Sequence, residues 1–109
     1  MIVGGGSDAP AFPLDPRLGL WQVRTRHVAG AQEAQAPELA LDAAAALSLY
    51  TTGAAAISLA GSTRGRLQPG FLADWVALDV DPLTATPEAV RSMSVLETAI
   101  GGRIVYQAG

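Results

Sequence analysis

One aspartate stands at a position where enzymes of mixed α/β architecture hold catalytic side chains. Asp8 follows the glycines Gly4–Gly6 and Ser7, just after the short apolar run Met1–Val3. If that run is the tail of a buried strand, Asp8 lies at the strand's carboxyl end, where such enzymes place reacting groups. The alternative is a plain turn, because aspartate is common in turns. The sequence therefore marks Asp8 as a candidate for acid–base chemistry and leaves the turn interpretation open.

The other candidate groups have simpler structural explanations. His27 is the only histidine and the chain has no cysteine, whereas protein zinc sites take three or four ligands. We therefore expect His27 to face solvent or the end of its helix, where the charged imidazole is favoured. Asp74, Asp79 and Asp81 do not follow the calcium-loop pattern, and the last two lie beside Pro82, so turn formation is predicted for them.

The elements that would position Asp8 are predicted to be helices. Asp15 is the expected N-cap of a helix over residues 17–28, with Pro16 at its first position. Residues 30–37 are alanine-rich and polar and are expected to form a mobile linker. An apolar stripe with spacings of three and four then runs over residues 39–57, which is typical of a helix packed on a core.

A break in that stripe predicts two helices rather than one. Thr51, Thr52 and Gly53 interrupt the pattern, so Thr52 is the expected cap of a second, shorter helix over residues 53–60. Gly61 is the expected end of that helix.

After Gly61 the hydrophobic period changes to two, which is typical of strands. Strands are predicted over residues 64–67, 75–78, 95–100 and 103–106, with a single helical turn opening at Thr86. Pro69-Gly70 is typical of a type II turn, and Gly101-Gly102 between two apolar runs is typical of a two-residue hairpin. The chain thus divides near residue 61 into a helical part and a small antiparallel sheet.

Composition excludes several classes of function. The net charge is −3 and no basic run occurs, so nucleic-acid binding is not expected. No apolar stretch of about 18 residues is present, so no membrane span is expected, and the lack of cysteine fits a cytoplasmic location.

The composition also predicts the size of the core. Half of the residues of the chain are apolar, but many of these are alanine, and aromatic residues make up only 6% of the chain. A thin core is predicted, and with it a need for a partner surface.

Several motifs, in order along the chain, resemble a known family. Residues 65–70 (Gly-Arg-Leu-Gln-Pro-Gly) and 73–79 (Ala-Asp-Trp-Val-Ala-Leu-Asp) resemble the run that closes many enzymes of the amidohydrolase superfamily. Residues 6–10 (Gly-Ser-Asp-Ala-Pro) and 14–21 are similar to the amidohydrolase 3 branch, whose last barrel strand ends in Gly-Ser-Asp-x-Pro. Residues 50–55 and 101–106 resemble the helix before that closing run and the family's last hairpin.

This resemblance implies a fold and a chemistry. The family's fold is a (β/α)₈ barrel with an attached β-sandwich. In that fold a divalent metal, often zinc, lies at the carboxyl end of the barrel strands, and the resemblance implies the same for the parent enzyme of this chain. Asp8 matches the aspartate that contacts the metal, takes the proton of the attacking water and passes it to the leaving nitrogen. Asp74 matches an aspartate of the sandwich motif and is carried over as structural. The family's histidine ligands have no counterpart here, and one carboxylate cannot hold a catalytic zinc.

The sequence therefore predicts an α+β C-terminal segment of a metal-dependent amidohydrolase. Residues 1–60 are expected to be the last β/α unit of the barrel, and residues 61–109 the C-terminal strands of the sandwich. The parent enzyme is expected to hydrolyse a C–N bond in a small amide, cyclic amide or N-acyl compound. By itself the chain is expected to be inactive and to hold no metal. The alternative is a non-catalytic structural or oligomerisation module, and a homo-oligomer is expected.

Overall fold

A computed structural model describes residues 1–28 and 30–109 and shows four helices and three strands within them. The helices are α1 (Pro16–Thr25), α2 (Ala43–Tyr50), α3 (Thr52–Ile57) and α4 (Pro87–Ser92), with a 3₁₀ turn at Pro37–Leu39. The strands are β1 (Trp75–Leu78), β2 (Val95–Ile100) and β3 (Arg103–Gln107). The architecture is α+β, as predicted.

Helix α1 begins and ends where its caps require. The Asp15 side chain accepts the backbone N–H of Arg17, and Pro16 occupies the first turn, where its missing N–H costs no hydrogen bond. Arg26, with φ of 60°, ends the helix and donates its backbone N–H to the carbonyl of Gln22. The predicted helix over 17–28 is confirmed in kind, although it ends at Thr25.

Helices α2 and α3 also differ from the prediction mainly at their ends. Asp42 caps α2 by accepting the N–H of Ala45. Thr52 is not the cap of α3, because Thr51 takes that position and Thr52 is already helical. The helix ends at Ile57 rather than near Gly61, since Leu59 adopts a φ of 59°, a left-handed conformation that cannot continue an α-helix.

The three strands form one antiparallel sheet in the order β1-β2-β3. Gly101 and Gly102, with φ of 58° and 79°, join β2 to β3. Positive φ at both central residues is the requirement of a type I′ hairpin turn, which glycine meets without strain. The predicted hairpin is confirmed, as is the Pro69-Gly70 turn, in which Phe71 donates its N–H to the carbonyl of Gln68 and Gly70 has a φ of 89°.

Two predicted strands are not formed. Within the described residues Met1–Val3 has no strand partner, and a lone extended segment cannot satisfy a ladder of hydrogen bonds. At residues 64–67, the N–H of Arg64 bonds back to the carbonyl of Ala60 at 2.9 Å, and Gly65 has a φ of 88°. These two features turn the chain where the pattern predicted an extended path.

The core is small and draws on both sides of residue 61. Leu20, Ala46, Val90 and Met93 form the buried cluster, which joins α1 and α2 to α4 and the residue after it. Alanine contributes little apolar area, so the expected thin core is what the structure shows. The proposed division at residue 61 remains a prediction.

One arginine holds the start of α1 to the loop before β2. The Nε and Nη2 atoms of Arg17 donate hydrogen bonds to the carboxylate of Asp15, and its Nη1 donates to the carbonyl of Met93 at 2.6 Å. The side-chain hydrogen bonds from Arg17 hold the pKa of Asp15 below its ordinary value of 3.8. In turn, the hydrogen bonds to Asp15 raise the pKa of Arg17.

This pair makes stability depend on pH. Because the pKa of Asp15 is lower in the folded state, its contribution is complete above the unfolded value and is lost as the pH falls through the folded value. Asp15→Asn keeps the cap but removes the charge, so we expect it to lower the free energy of unfolding at pH 6 by about 0.5–1 kcal/mol, as for a solvent-exposed pair. Urea titrations at pH 6 and pH 2 measure the difference, which should vanish at the lower pH. If the parent chain and Asp15→Asn differ in free energy of unfolding by the same amount at pH 6 and at pH 2, the charge of Asp15 does not contribute to stability.

No helix among residues 1–28 and 30–109 has both the length and the apolar character that crossing a bilayer requires.

Candidate functional site

Asp8 lies in a tight turn at the surface. Its φ of 55° is left-handed, a conformation that aspartate adopts more readily than most residues. Its carbonyl accepts the N–H of Ala11 at 3.1 Å, and the Ala9-Pro10 peptide bond inside the turn is cis. The side chain is exposed. Asp8 thus lies in a turn, and the turn leaves its carboxylate accessible.

The segment that leads to Asp8 is fixed against the junction of α2 and α3. The N–H of Gly5 donates to the carbonyl of Leu49 at 2.8 Å. Two residues earlier, the carbonyl of Val3 lies so close to Gly53 that a Cβ at residue 53 would overlap it. Glycine at residue 53, in the first turn of α3, is therefore required by the close approach of the two backbones.

Tyr50 holds the same segment from the side. A Cβ on Gly5 would lie 2.9 Å from the ring of Tyr50, and a Cβ on Gly19 would overlap its hydroxyl. The ring therefore fills the space between the Asp8 segment and α1. From the sequence, Tyr50 belongs only to the apolar stripe over residues 39–57 and to the motif over residues 50–55, because a contact with residues 31 and 45 positions away leaves no local pattern.

An open pocket of about 710 Å³ lies beside Asp8. Its polar side chains come from Ser7, Asp8, Asp15 and Gln22. The remaining wall is largely apolar and is formed by Phe12, Pro13, Pro16, Leu18, Val23, Val28 and Tyr50. Such a combination, a mostly apolar cleft with a few polar groups, is the usual form of a small-molecule site.

The two carboxylates of the pocket have different surroundings. Asp15 is held by the guanidinium of Arg17, and its pKa is lowered by those hydrogen bonds. Within the described residues, no side chain forms an ion pair with Asp8. Asp8 is therefore the carboxylate that is accessible to a bound molecule, whereas Asp15 is committed to the helix cap.

The described residues do not provide a complete metal site. Nowhere in residues 1–28 and 30–109 do three or more histidine, aspartate or glutamate side chains gather closely enough to hold an ion. His27 stacks on the ring of Trp21, with ring centroids 5.9 Å apart. Asp8 can supply one carboxylate ligand, which is fewer than the three or four that a zinc ion takes from protein.

The acidic trio has the structural role predicted for it. Asp74 accepts the N–H of Gly101 at the hairpin turn, and its carboxylate lies 3.5 Å from the guanidinium of Arg64. Asp79 accepts the N–H of Ser94 and Asp81 that of Leu83, each at 2.8 Å. These three carboxylates cap turns around the sheet and do not face the Asp8 pocket.

Comparison with known proteins identifies the family to which this chain belongs. The amidohydrolase family, in its amidohydrolase 3 branch, matches residues 1–106. The putative amidohydrolase YtcJ of Bacillus subtilis strain 168 is 33% identical over 111 residues, which cover 98% of this chain and 21% of that protein. The N-substituted formamide deformylase of Arthrobacter pascens is 30% identical over 101 residues, which cover 93% of this chain and 18% of that protein. No solved structure matches the chain.

The chain spans about a fifth of the length of these two relatives. The family match runs from the segment that carries Asp8 through the last hairpin. It therefore includes the Gly-Ser-Asp segment of residues 6–8, Gly53 with its close approach to Val3, and strand β1 with the Ala-Asp pair before it. On this evidence the chain belongs to the amidohydrolase family.

Proposed function

We propose that this chain supplies the catalytic Asp8 of a metal-dependent hydrolase that cleaves a C–N bond in a small amide, cyclic amide or N-acyl compound. Residues 1–60 would form the last β/α unit of a (β/α)₈ barrel, and residues 61–109 strands of an attached β-sandwich. The observation that carries the proposal is the accessible carboxylate of Asp8 on an apolar pocket, in the Gly-Ser-Asp segment of the family match.

The chemistry assigned to Asp8 is proton transfer. A carboxylate oxygen of Asp8 takes a proton from the attacking water as the new C–O bond forms, and delivers it to the nitrogen as the C–N bond breaks. Asp8 lies beside the pocket in a left-handed turn, and the segment that leads to this turn is fixed by the hydrogen bond from Gly5 to Leu49 and by the packing of Tyr50. Positioning of that kind is what general-base catalysis requires, because the base must lie within hydrogen-bonding reach of the water.

The metal that the resemblance implies, with zinc expected, would need more ligands than this chain offers. Asp8 would be one of them, and the others are not among the residues that the structure describes. Support for the substrate class comes from the relative whose name describes deformylation of N-substituted formamides. Amides of that kind are the first compounds to test.

Removal of divalent metal tests this proposal. In the complete protein that contains this chain, we expect prolonged dialysis against a chelator to lower hydrolysis of N-substituted formamides by about 100-fold or more, and added zinc to restore it. The basis is that a bound metal makes water reactive near pH 7. Ammonia or amine release measures turnover, and a mock dialysis without chelator is the control. Full activity after verified metal removal would contradict the metal dependence.

A second candidate, an oligomerisation module, is favoured by the state of the sheet. All five residues of β3 are exposed, and β3 lies at one edge of the sheet with β1 at the other. Unpaired strand edges are templates for pairing with another chain. The exposed apolar side chains of Ile104, Val105 and Tyr106 on β3 add area that a partner could cover.

We expect the isolated chain to self-associate through these edges. A two-fold dimer is the simplest arrangement in which identical edges pair with each other. Sedimentation equilibrium at micromolar concentration should give a mass above the 11.2 kDa of one chain. Val105→Lys would place a charge on the edge and is expected to shift the equilibrium toward monomer, whereas Leu67→Lys, which is exposed outside the sheet, should not. A monomer at all concentrations would contradict the proposal that the chain is an oligomerisation module.

The cytoplasmic location of the protein stays a prediction.

A further inference from the structure

Tyr50 packs against two glycines that are far from it in the sequence. A Cβ added to Gly5 would lie 2.9 Å from the ring, and a Cβ added to Gly19 would overlap the hydroxyl. Gly19 lies inside helix α1, where alanine is intrinsically favoured over glycine. A side chain at residue 19 is therefore excluded by the position of Tyr50 and not by the conformation of the helix.

The other side of Tyr50 rests on the core. Tyr50 is the last residue of α2, and it packs against the buried cluster around Leu20. The carbonyl of the neighbouring Leu49 accepts the N–H of Gly5 at 2.8 Å, so a ring contact and a backbone hydrogen bond meet at the same glycine. Packed interiors resist displacement. The ring of Tyr50 is therefore a spacer of fixed size between the core and the segment that leads to Asp8.

This spacer acts close to the pocket. Gly5 is three residues before Asp8, and Tyr50 itself lines the Asp8 pocket. A Cβ added to Gly6 would meet no atom within 4 Å, so the close packing of the three glycines ends at Gly5. The contact between Tyr50 and Gly5 is thus the last of these glycine contacts before the turn that carries Asp8.

We propose that Tyr50 is a positioning residue, which sets the distance between α1 and the Asp8 turn and thereby the place of the Asp8 carboxylate in the pocket. The inference rests on the proposed function, in which Asp8 contacts the metal and moves the proton of the attacking water. Both tasks depend on geometry, because a displacement of about 1 Å at a reacting group can cost about 100-fold in rate. A metal ion would hold the carboxylate of Asp8, whereas Tyr50 holds the backbone three residues before it.

Shortening the side chain tests this role in the complete protein that contains this chain. Leucine ends well short of the ring tip, so we expect Tyr50→Leu to lower kcat for an N-substituted formamide by about tenfold to 100-fold and to change KM by less than about threefold. Tyr50→Phe keeps the ring and should retain kcat within about threefold. The control is Leu47→Ala, which loses packing on the same helix but lies outside the Asp8 pocket, and it should keep kcat within about threefold.

Gly19→Ala tests the contact from the side of α1. Because its Cβ would overlap the hydroxyl of Tyr50, we expect kcat to fall by about fivefold or more, although alanine favours the helix. In a Tyr50→Leu background the same substitution should change kcat by less than about twofold, because the group that it displaces is gone. Independent, multiplicative losses in the double variant would show that residue 19 does not act through Tyr50, and would overturn the inference.

Hydrogen exchange of the complete protein after removal of divalent metal gives a readout without turnover. In peptides that cover residues 4–8, Tyr50→Leu should raise the exchange rate by about tenfold, and Leu47→Ala should not. Equal exchange in these two variants, full kcat in Tyr50→Leu, or a loss in Tyr50→Phe as large as in Tyr50→Leu would each overturn the inference. Faster exchange at residues 4–8 of Tyr50→Leu, together with no amide hydrolysis by the parent protein, would contradict the proposed function and leave the positioning of the turn by Tyr50 standing.

Discussion

In the complete protein that contains this chain, Asp8→Asn is expected to lower kcat for amide hydrolysis by about two orders of magnitude or more, the usual contribution of a general base. Asparagine keeps the size of the side chain and tolerates the left-handed conformation of residue 8, but its amide cannot take a proton from water. KM should change less than kcat, because the lost interaction belongs to the transition state. Steady-state kinetics on an N-substituted formamide provide the measurement.

The matched control is Asp81→Asn. Asp81 is also exposed and accepts a backbone N–H, from Leu83, and asparagine can still accept that bond. The same loss of one negative charge, away from the pocket, is expected to leave kcat within about twofold, as for most surface substitutions. Near-normal turnover of Asp8→Asn would remove Asp8 from the mechanism, whereas equal losses in both variants would indicate a general effect of charge.

The largest effect on stability is expected from Leu20→Ala. Leu20 is 5% exposed and lies in the small cluster with Ala46, Val90 and Met93. Removing a buried leucine costs about 2–5 kcal/mol, because the lost transfer free energy adds to that of the cavity. Folded domains have a free energy of unfolding of only about 5–15 kcal/mol, so this variant should lose a large share of its stability.

Urea unfolding followed by far-ultraviolet circular dichroism measures this change. Leu67→Ala is the control, since the same atoms are removed from a side chain that is 72% exposed, and it should stay within about 0.5 kcal/mol of the parent chain. Similar losses in the two variants would show that the cluster around Leu20 is not the main source of stability.

Local signals in the sequence correctly predicted two turns and the starts of two helices. Proline and glycine at residues 69–70 and two glycines at residues 101–102 specify turns through backbone conformation alone, and both turns are confirmed. The caps at Asp15 and Thr86 likewise depend on side chains that reach only two or three residues along the chain. Such elements can be predicted because their energetics are local.

Long-range contacts were beyond the reach of the sequence. The apolar run Met1–Val3 was predicted as a strand, yet a strand needs a neighbour, and in this structure the following backbone bonds to a helix carbonyl instead. The roles of Tyr50 in the pocket and of Arg17 at the Met93 carbonyl join residues far apart in the chain. Asp8 was found from the sequence because it follows an apolar run, but its accessible carboxylate and its pocket required the fold.

The bond from Arg17 to the Met93 carbonyl has a consequence for how the molecule opens. It links the first turn of α1 to the entrance of β2 across 76 positions of sequence, beside a core cluster that already joins α1 to α4. Segments tied in this way tend to open together as one cooperative unit rather than fraying separately. The amide hydrogens of α1 and of the first residues of β2 should therefore share one opening free energy in native-state hydrogen exchange. The turn that carries Asp8 lies outside this unit, so its amide hydrogens should exchange with a lower opening free energy.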